Sequence, residues 1–177
     1  MELVVRTMVG ADVDGLVEIE RMAYRKELSE GRTVFEDRLP LSPPCCWVAE
    51  SGGAVAGYLL SNPWRRGDAP LLGRPLGPLP DRPDCHFIHD LSVHPRARGL
   101  GVGRALVETV IRVALERGHR SICGVAVQGS VPFWESFGFR AWRSLPPALA
   151  EKLASYGGDA AYMERDDADP AARTREA

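Results

Sequence analysis

Between Cys85 and Val127 the chain changes its apolar period twice, and that change restricts the fold more than any other feature. Cys85 to Val93 reads as a strand, which Pro95 ends. Ala105, Leu106, Val110, Val113 and Ala114 then supply one face of a helix. That helix is expected to start near Gly101 and continue to about Arg117, with Gly118 closing it. Ser121 to Val127 is another strand. A strand–helix–strand unit of this kind should be a right-handed crossover between neighbouring strands, so it commits the chain to an α/β architecture.

The flanking segments add to that centre. Leu3 to Met8 reads as a first strand, and Asp12 is placed to cap a helix bearing Val13, Leu16, Val17, Tyr24 and Leu28 on one face. A short helix is expected over Thr33 to Leu39, stopping at Pro40. Cys45–Glu50 and Ala54–Ser61 form an antiparallel hairpin around Ser51-Gly52-Gly53. From Asn62 to Asp84 six prolines leave no room for a regular element, and a loop this long is often a functional one. Pro132 to Phe137 reads as a short helix, and Phe139–Trp142 and Ala160–Arg165 as strands. Residues 1–165 are expected to form a single domain. The acidic stretch beginning at Asp166, through residue 177, is expected to be a solvated, disordered tail.

Composition narrows the class of function. A net charge of -2 offers no general attraction to nucleic acid or anionic lipid. No apolar run approaches the roughly 20 residues of a membrane span, and the N-terminus carries no basic region followed by an apolar stretch. Cys45, Cys46, Cys85 and Cys123 show no Cys-x-x-Cys spacing and read as buried free thiols. That implies a reducing compartment, and a cytoplasmic protein is expected.

Chemistry concentrates between His89 and Arg104, where the strand passes through a glycine-rich turn into the helix. Gly99, Gly101 and Gly103 carry no Cβ, so a ligand can approach the backbone closely. The helix's first amides have no partners within it, and its dipole adds partial positive charge. Arg96, Arg98 and Arg104 add full charges, which makes an anion site that suits a pyrophosphate. Two nucleotide fingerprints fail. Gly101-Val102-Gly103 is followed by Arg104-Ala105-Leu106 rather than the third glycine of a dinucleotide turn, and neither Lys26 nor Lys152 is near enough for a P-loop. His86, His89 and His94 fall close together, but His86 and His89 point to opposite faces of a strand and no second ligand group is evident. No metal is expected.

Arg98, Gly101 and Gly103 match the Arg/Gln-x-x-Gly-x-Gly/Ala signature of the GNAT acetyltransferases, and the segment led in by Leu91-Ser92-Val93-His94-Pro95 resembles theirs. Pro132-Phe133-Trp134-Glu135-Ser136-Phe137-Gly138-Phe139 resembles that family's second block, commonly Phe-Tyr-x-x-x-Gly-Phe. The resemblance implies a GNAT fold, with a central mixed, twisted sheet of about six to seven strands, about four flanking helices and a splay at the central parallel pair. It further implies an N-acetyltransferase that passes an acetyl group from acetyl-CoA to a primary amine by direct attack in a ternary complex. The acceptor is expected to be a small molecule rather than a protein, and a homodimer is compatible with the family.

Residue by residue, the resemblance places pantetheine against backbone groups of Leu91 and Val93. It places the pyrophosphate on Arg98, Gly99, Gly101, Val102, Gly103 and Arg104, with Trp134 beside the cofactor. Asp90 is the candidate general base and the Val93 amide the candidate oxyanion donor. Trp134 stands where the family often has a tyrosine acid for the leaving thiolate, with Tyr156 and Tyr162 as the available substitutes. His89 is placed to line the acceptor pocket. Trp64, Arg65 and Arg66 in the Pro-rich loop, and the segment around Tyr156-Gly157-Gly158, could wall it. The loss of the tyrosine keeps open a second reading, a non-catalytic acyl-CoA-binding sensor or partner subunit.

Overall fold

The strand–helix–strand unit sits at the middle of a seven-stranded sheet in the computed structural model, which describes residues 2–167. The strands are β1 (Leu3–Thr7), β2 (Cys46–Ser51), β3 (Ala54–Trp64), β4 (Cys85–Val93), β5 (Ser121–Ala126), β6 (Arg140–Ala141) and β7 (Ala161–Asp166). Their order is β1-β2-β3-β4-β5-β7-β6, and every pairing is antiparallel except β4 with β5. Five α-helices accompany them: α1 (Val13–Ala23), α2 (Arg32–Leu41), α3 (Val102–Glu116), α4 (Val131–Glu135) and α5 (Pro147–Ala154).

Strand alternation divides the core between the two faces. Ala49 and Leu59 pack with α3 through Leu106, Val107 and Val110, whereas Cys46, Val48, Tyr58 and Leu60 pack with Leu16, Ile19 and Phe35 of α1 and α2. Each fully buried aliphatic side chain in these layers contributes about 1.5–3 kcal/mol of transfer free energy. On the far half of the sheet, Leu149 and Leu153 of α5 close over Phe87, Cys123 and Tyr162.

Strand β4 departs from regular pairing on both of its edges. Leu60 pairs with Asp90 but Ser61 pairs with Ile88, so His89 is an extra residue on β4, a β-bulge. The parallel ladder with β5 runs through His86–Ile122, Phe87–Cys123 and Ile88–Gly124, and then stops. A Cβ on Gly124 would stand 3.0 Å from the Ile88 carbonyl oxygen, so the absent side chain lets the strands meet closely just before they part.

Several boundaries differ from the sequence expectation. Asp12 does not cap α1; its carboxylate accepts from the Val9 amide at 2.8 Å and pairs with Arg6 instead. α1 ends at Ala23, so Tyr24 and Leu28 lie beyond it, Tyr24 with extended backbone. α2 continues through Pro40, because a proline near the last turn forfeits only one helical bond. β3 runs on through Asn62 and Pro63 to Trp64, since the fixed φ of proline suits extended backbone and costs only a ladder donor. α5 has no counterpart in the sequence reading. Asp166 belongs to β7 rather than to the expected tail; residues 168–177 of that tail lie outside the described residues. All four cysteines are buried and free.

Gly57 on β3 marks the tightest contact between the sheet and α3. A Cβ there would fall 2.8 Å from the Ser92 carbonyl oxygen and 2.9 Å from a Val102 methyl. Gly57→Ala is expected to cost about 1–3 kcal/mol in urea unfolding, the usual penalty of overpacking. A change within about 0.5 kcal/mol, typical of a surface site, would show that this contact is loose.

Candidate active site

Where β4 leaves β5 a cleft of about 240 Å³ opens, with the start of α3 and α4 at one end and Tyr24 at the other. Leu91, Val93, Arg98, Gly103 and Trp134 line it, together with Val125, Gln128 and Phe133. The glycine turn is built by conformation. After a 3-10 turn over Pro95–Ala97, Gly99 and Gly101 adopt φ of 79° and 81°, a left-handed backbone that residues with a Cβ rarely take. Gly101 caps α3, and a Cβ on either glycine would meet nothing within 4 Å, so the turn is open on its outer side. Gly103 serves differently: a Cβ there would touch the Phe133 ring at 3.4 Å, so its smallness seats α4 against α3.

The first amides of the 15-residue α3 have no partners within the helix, which leaves donors and partial positive charge at the mouth of the cleft. Arg98 lines that mouth, but Arg104 does not. Its guanidinium lies 3.2 Å from Glu108 and over the Phe137 ring, on the outer side of α3, so only its backbone remains for an anion. Val102 is buried beneath the turn, where it packs with the α3 core.

The bulge at His89 decides which side chains meet the Tyr24 end of the cleft. In an uninterrupted strand Ile88, Asp90 and Ser92 would share a face. With one residue inserted, Leu91 and Val93 join Ile88 on the α3 side. Asp90 turns instead toward α1, where its Oδ1 accepts from Tyr24 at 2.7 Å and its Oδ2 from Tyr58 at 2.6 Å. Tyr24 also stands 3.2 Å from the Leu91 carbonyl, but a hydroxyl has one hydrogen and the shorter contact to the carboxylate takes it. Burial raises the Asp90 pKa to about 6 despite the opposing pull of those two hydroxyls. At neutral pH it is therefore ionised but poised to take a proton.

His89 borders the same cleft, and its Nε2 lies 2.6 Å from Glu30 Oε2. Burial alone would raise the Glu30 pKa, but the charge and hydrogen bond of His89 outweigh it and hold the carboxyl below its ordinary value. The other Glu30 oxygen accepts from the Gly73 amide at 2.6 Å, and Leu76 donates its amide to Asp37 of α2. The Pro-rich loop thus reaches the site through Glu30. It does not do so through Trp64, which packs beside the α5 cluster, or through Arg66, which is held by Glu164 and Trp142.

Tyr156 and Tyr162 are both away from the cleft. Tyr156 donates to the Pro70 carbonyl, and the Tyr162 hydroxyl accepts from the Gly67 amide within the α5 cluster, so neither replaces the missing tyrosine acid. The segment at Tyr156-Gly157-Gly158 borders a separate depression beside Arg25. Trp134 sits in the cleft wall, edge-on to Phe133 and Phe139. Among the described residues no group of three or more His, Cys, Asp or Glu side chains is placed to hold a metal. His86 turns away from His89 and meets Ser61 at 2.9 Å.

Sequence reading missed Tyr24, Tyr58 and Glu30. Tyr24 and Tyr58 fall in apolar patterns that read as core, and no local pattern links Glu30 to a residue so far along the chain. Because folding raises the Asp90 pKa, the stability it permits is complete below the unfolded value of about 3.9 and is lost as pH climbs through about 6. Unfolding free energies of wild type and Asp90→Asn are therefore expected to diverge across that window, wild type losing ground as pH rises. Parallel curves between pH 4 and 7 would contradict the assigned burial of this charge.

Similarity to known proteins points the same way. The family described as "Acetyltransferase (GNAT) family" matches residues 13–139. The chain is 35% identical over 97 residues to the probable N-acetyltransferase family 8 member 5 of Mus musculus, covering 53% of this chain and 37% of that one. It thus spans well under half the length of that relative. The loading GNATL domain of CurA from Lyngbya majuscula superposes with a TM-score of 0.77 at 13% identity, over 95% of this chain and 99% of that one. The GphF GNAT-like decarboxylase, in complex with isobutyryl-CoA, gives 0.73 at 18% identity, over 92% and 98%. At such identities these two structures establish a shared fold. No helix among the described residues is long and apolar enough to cross a membrane.

Proposed function

We propose, from the premise that the chain belongs to the acetyltransferase (GNAT) family, that it transfers an acetyl group from acetyl-CoA to a primary amine, with Asp90 as general base. One observation carries this reading: the cleft left where β4 parts from β5 has the unpartnered first amides of α3 at one end and a buried carboxylate at the other. The acyl-CoA bound by a structural neighbour supports the choice of donor.

In this reading the pyrophosphate lies on the amides of Gly99 to Arg104 and beside the Arg98 guanidinium. Pantetheine runs along the unpaired edge of β4 at Leu91 and Val93, with Trp134 packed beside it. An alkylammonium acceptor is mostly protonated at neutral pH and must first lose a proton. Asp90 takes it, directly or through a water. The free nitrogen then attacks the thioester carbonyl, and the Val93 amide stabilises the charge that develops on oxygen. The acceptor is a small molecule and enters from the Tyr24 end.

Calorimetry with acetyl-CoA, and NAD as the control, tests the donor site. Micromolar binding of acetyl-CoA alone is expected, and Gly101→Asp, which adds negative charge and a Cβ at a left-handed φ, should weaken it by more than about 100-fold, roughly 2.7 kcal/mol. Unchanged affinity would remove the glycine turn from the site. A thiol-release screen over an amine panel then tests catalysis, and binding without release would favour a sensor module over an enzyme. With an accepted amine, Asp90→Asn should slow the wild-type rate by about 10²-fold and abolish the rise in rate near pH 6. A profile that keeps that limb would assign the base elsewhere.

A further inference from the structure

Gln128 holds a conformation that its residue type disfavours. Its φ is 53°, and among the described residues it is the one position other than glycine with a positive φ. A Cβ makes the left-handed region costly, and glycine or asparagine enters it more readily. Residues with larger side chains persist there only where the surrounding structure holds them, and such positions cluster at functional sites.

The Gln128 side chain starts just past β5 and reaches the opposite wall of the cleft. Its Oε1 accepts from the Arg25 amide at 3.0 Å, and its Nε2 donates to the Ala23 carbonyl at 3.2 Å. These two contacts bracket Tyr24, whose extended backbone leads the chain away from α1. The Ala23 carbonyl belongs to the last turn of α1, where carbonyls lack helical partners, and Arg25 lies past the helix end. One primary amide thus serves both sides of a single residue, as a neighbouring strand would. Ala23, Tyr24 and Gln128 all line the cleft, and Gln128 is exposed. A second tie, from Arg25 to Asp159 at 3.3 Å, joins the same segment to the chain before β7. Both of its partners are exposed, and such pairs contribute little.

Tyr24 carries the contact that this fastening protects, for its hydroxyl donates to Asp90 Oδ1 at 2.7 Å. We propose that Gln128 is a positioning residue of the transfer reaction: it fastens Tyr24 from the β5 side of the cleft and so keeps the tyrosine hydroxyl on Asp90. Its effect on rate rests on the transferase reading; its effect on Asp90 does not. The carboxylate is also faced by Tyr58 of β3, Glu20 of α1, Arg38 of α2 and the adjacent His89. Gln128 hydrogen-bonds to none of these among the described residues, so its influence on Asp90 passes through Tyr24. The Tyr24 hydroxyl favours the ionised carboxylate, so loosening it raises the Asp90 pKa.

Carboxyl titration of the ligand-free protein by carbon NMR tests this, with the Asp90 signal assigned by its loss in Asp90→Asn. Gln128→Gly removes the amide and relieves the backbone, so its urea midpoint should match or exceed that of wild type. Gln128→Asn, which tolerates a left-handed φ but is one methylene too short, is used if it does not. The variant is expected to raise the Asp90 titration midpoint by at least about half a pH unit from about 6. Tyr24→Phe should raise it at least as far, and combining the two should add nothing further, as for residues that act as a unit. With an amine that the wild type accepts, the rising limb of the rate–pH profile should move by the same amount. An unmoved Asp90 midpoint, or an equal rise in the Tyr24→Phe background, would overturn the role of Gln128. A midpoint that moves while the limb stays would remove it from catalysis. A wild type that binds acetyl-CoA and releases no thiol with any amine would overturn the transferase reading, and the titration would still decide whether Gln128 holds Tyr24 on Asp90.

Discussion

At His89, β4 carries one residue more than β3 can pair with, and both ends of the cleft depend on that surplus. The bulge bends the strand just past its last parallel contact with β5, so β4 and β5 separate at Ile88 and Gly124. It also reverses the facing of every side chain beyond it. Leu91 and Val93 become the apolar floor on the α3 side, and Asp90 reaches Tyr24 and Tyr58 on the other. One inserted residue therefore supplies an unpaired strand edge and a buried carboxylate within a few residues of each other.

Burying that carboxylate is costly, and its neighbours show how the cost is limited. Two tyrosine hydroxyls donate to its two oxygens, so neither oxygen is left without a donor. Glu30 is paired with His89 and Glu20 accepts the amides of Glu30 and Gly31, while the buried Arg38 guanidinium on α2 adds a positive field toward Glu30 and Asp90. The result is a polar cluster between α1, α2 and β4. A weakly protected surface carboxylate would titrate near its ordinary value; this one is held near neutrality because the folded chain surrounds it.

The two ends of the cleft use different physics. At α3, left-handed glycines leave backbone amides open for the proposed anion, and the Arg104 side chain turns outward to Glu108. At β4, individual side chains act in fixed pairs: Asp90 with Tyr24 and Tyr58, His89 with Glu30. The long Pro-rich loop belongs to this second end, because the Gly73 amide restrains Glu30 and Leu76 ties the loop to Asp37.

The amino-acid sequence by itself determined the central strand–helix–strand unit, the glycine turn at Gly99 to Gly103, the family resemblance and the placing of Asp90 and His89. Each rests on local pattern: period, left-handed backbone preference and spacing along a short segment. Tertiary structure alone decided the facing of those residues, because a bulge is defined by pairing with another strand and leaves no mark in β4 read alone. It also decided that Tyr24 leaves α1 to reach Asp90, that Pro63 can sit in β3, and that Pro147 opens a helix where sequence suggested none. Glu30 meets His89, and Tyr58 meets Asp90, across long stretches of chain. Such contacts depend on packing free energy summed over the whole sheet, which no local window contains.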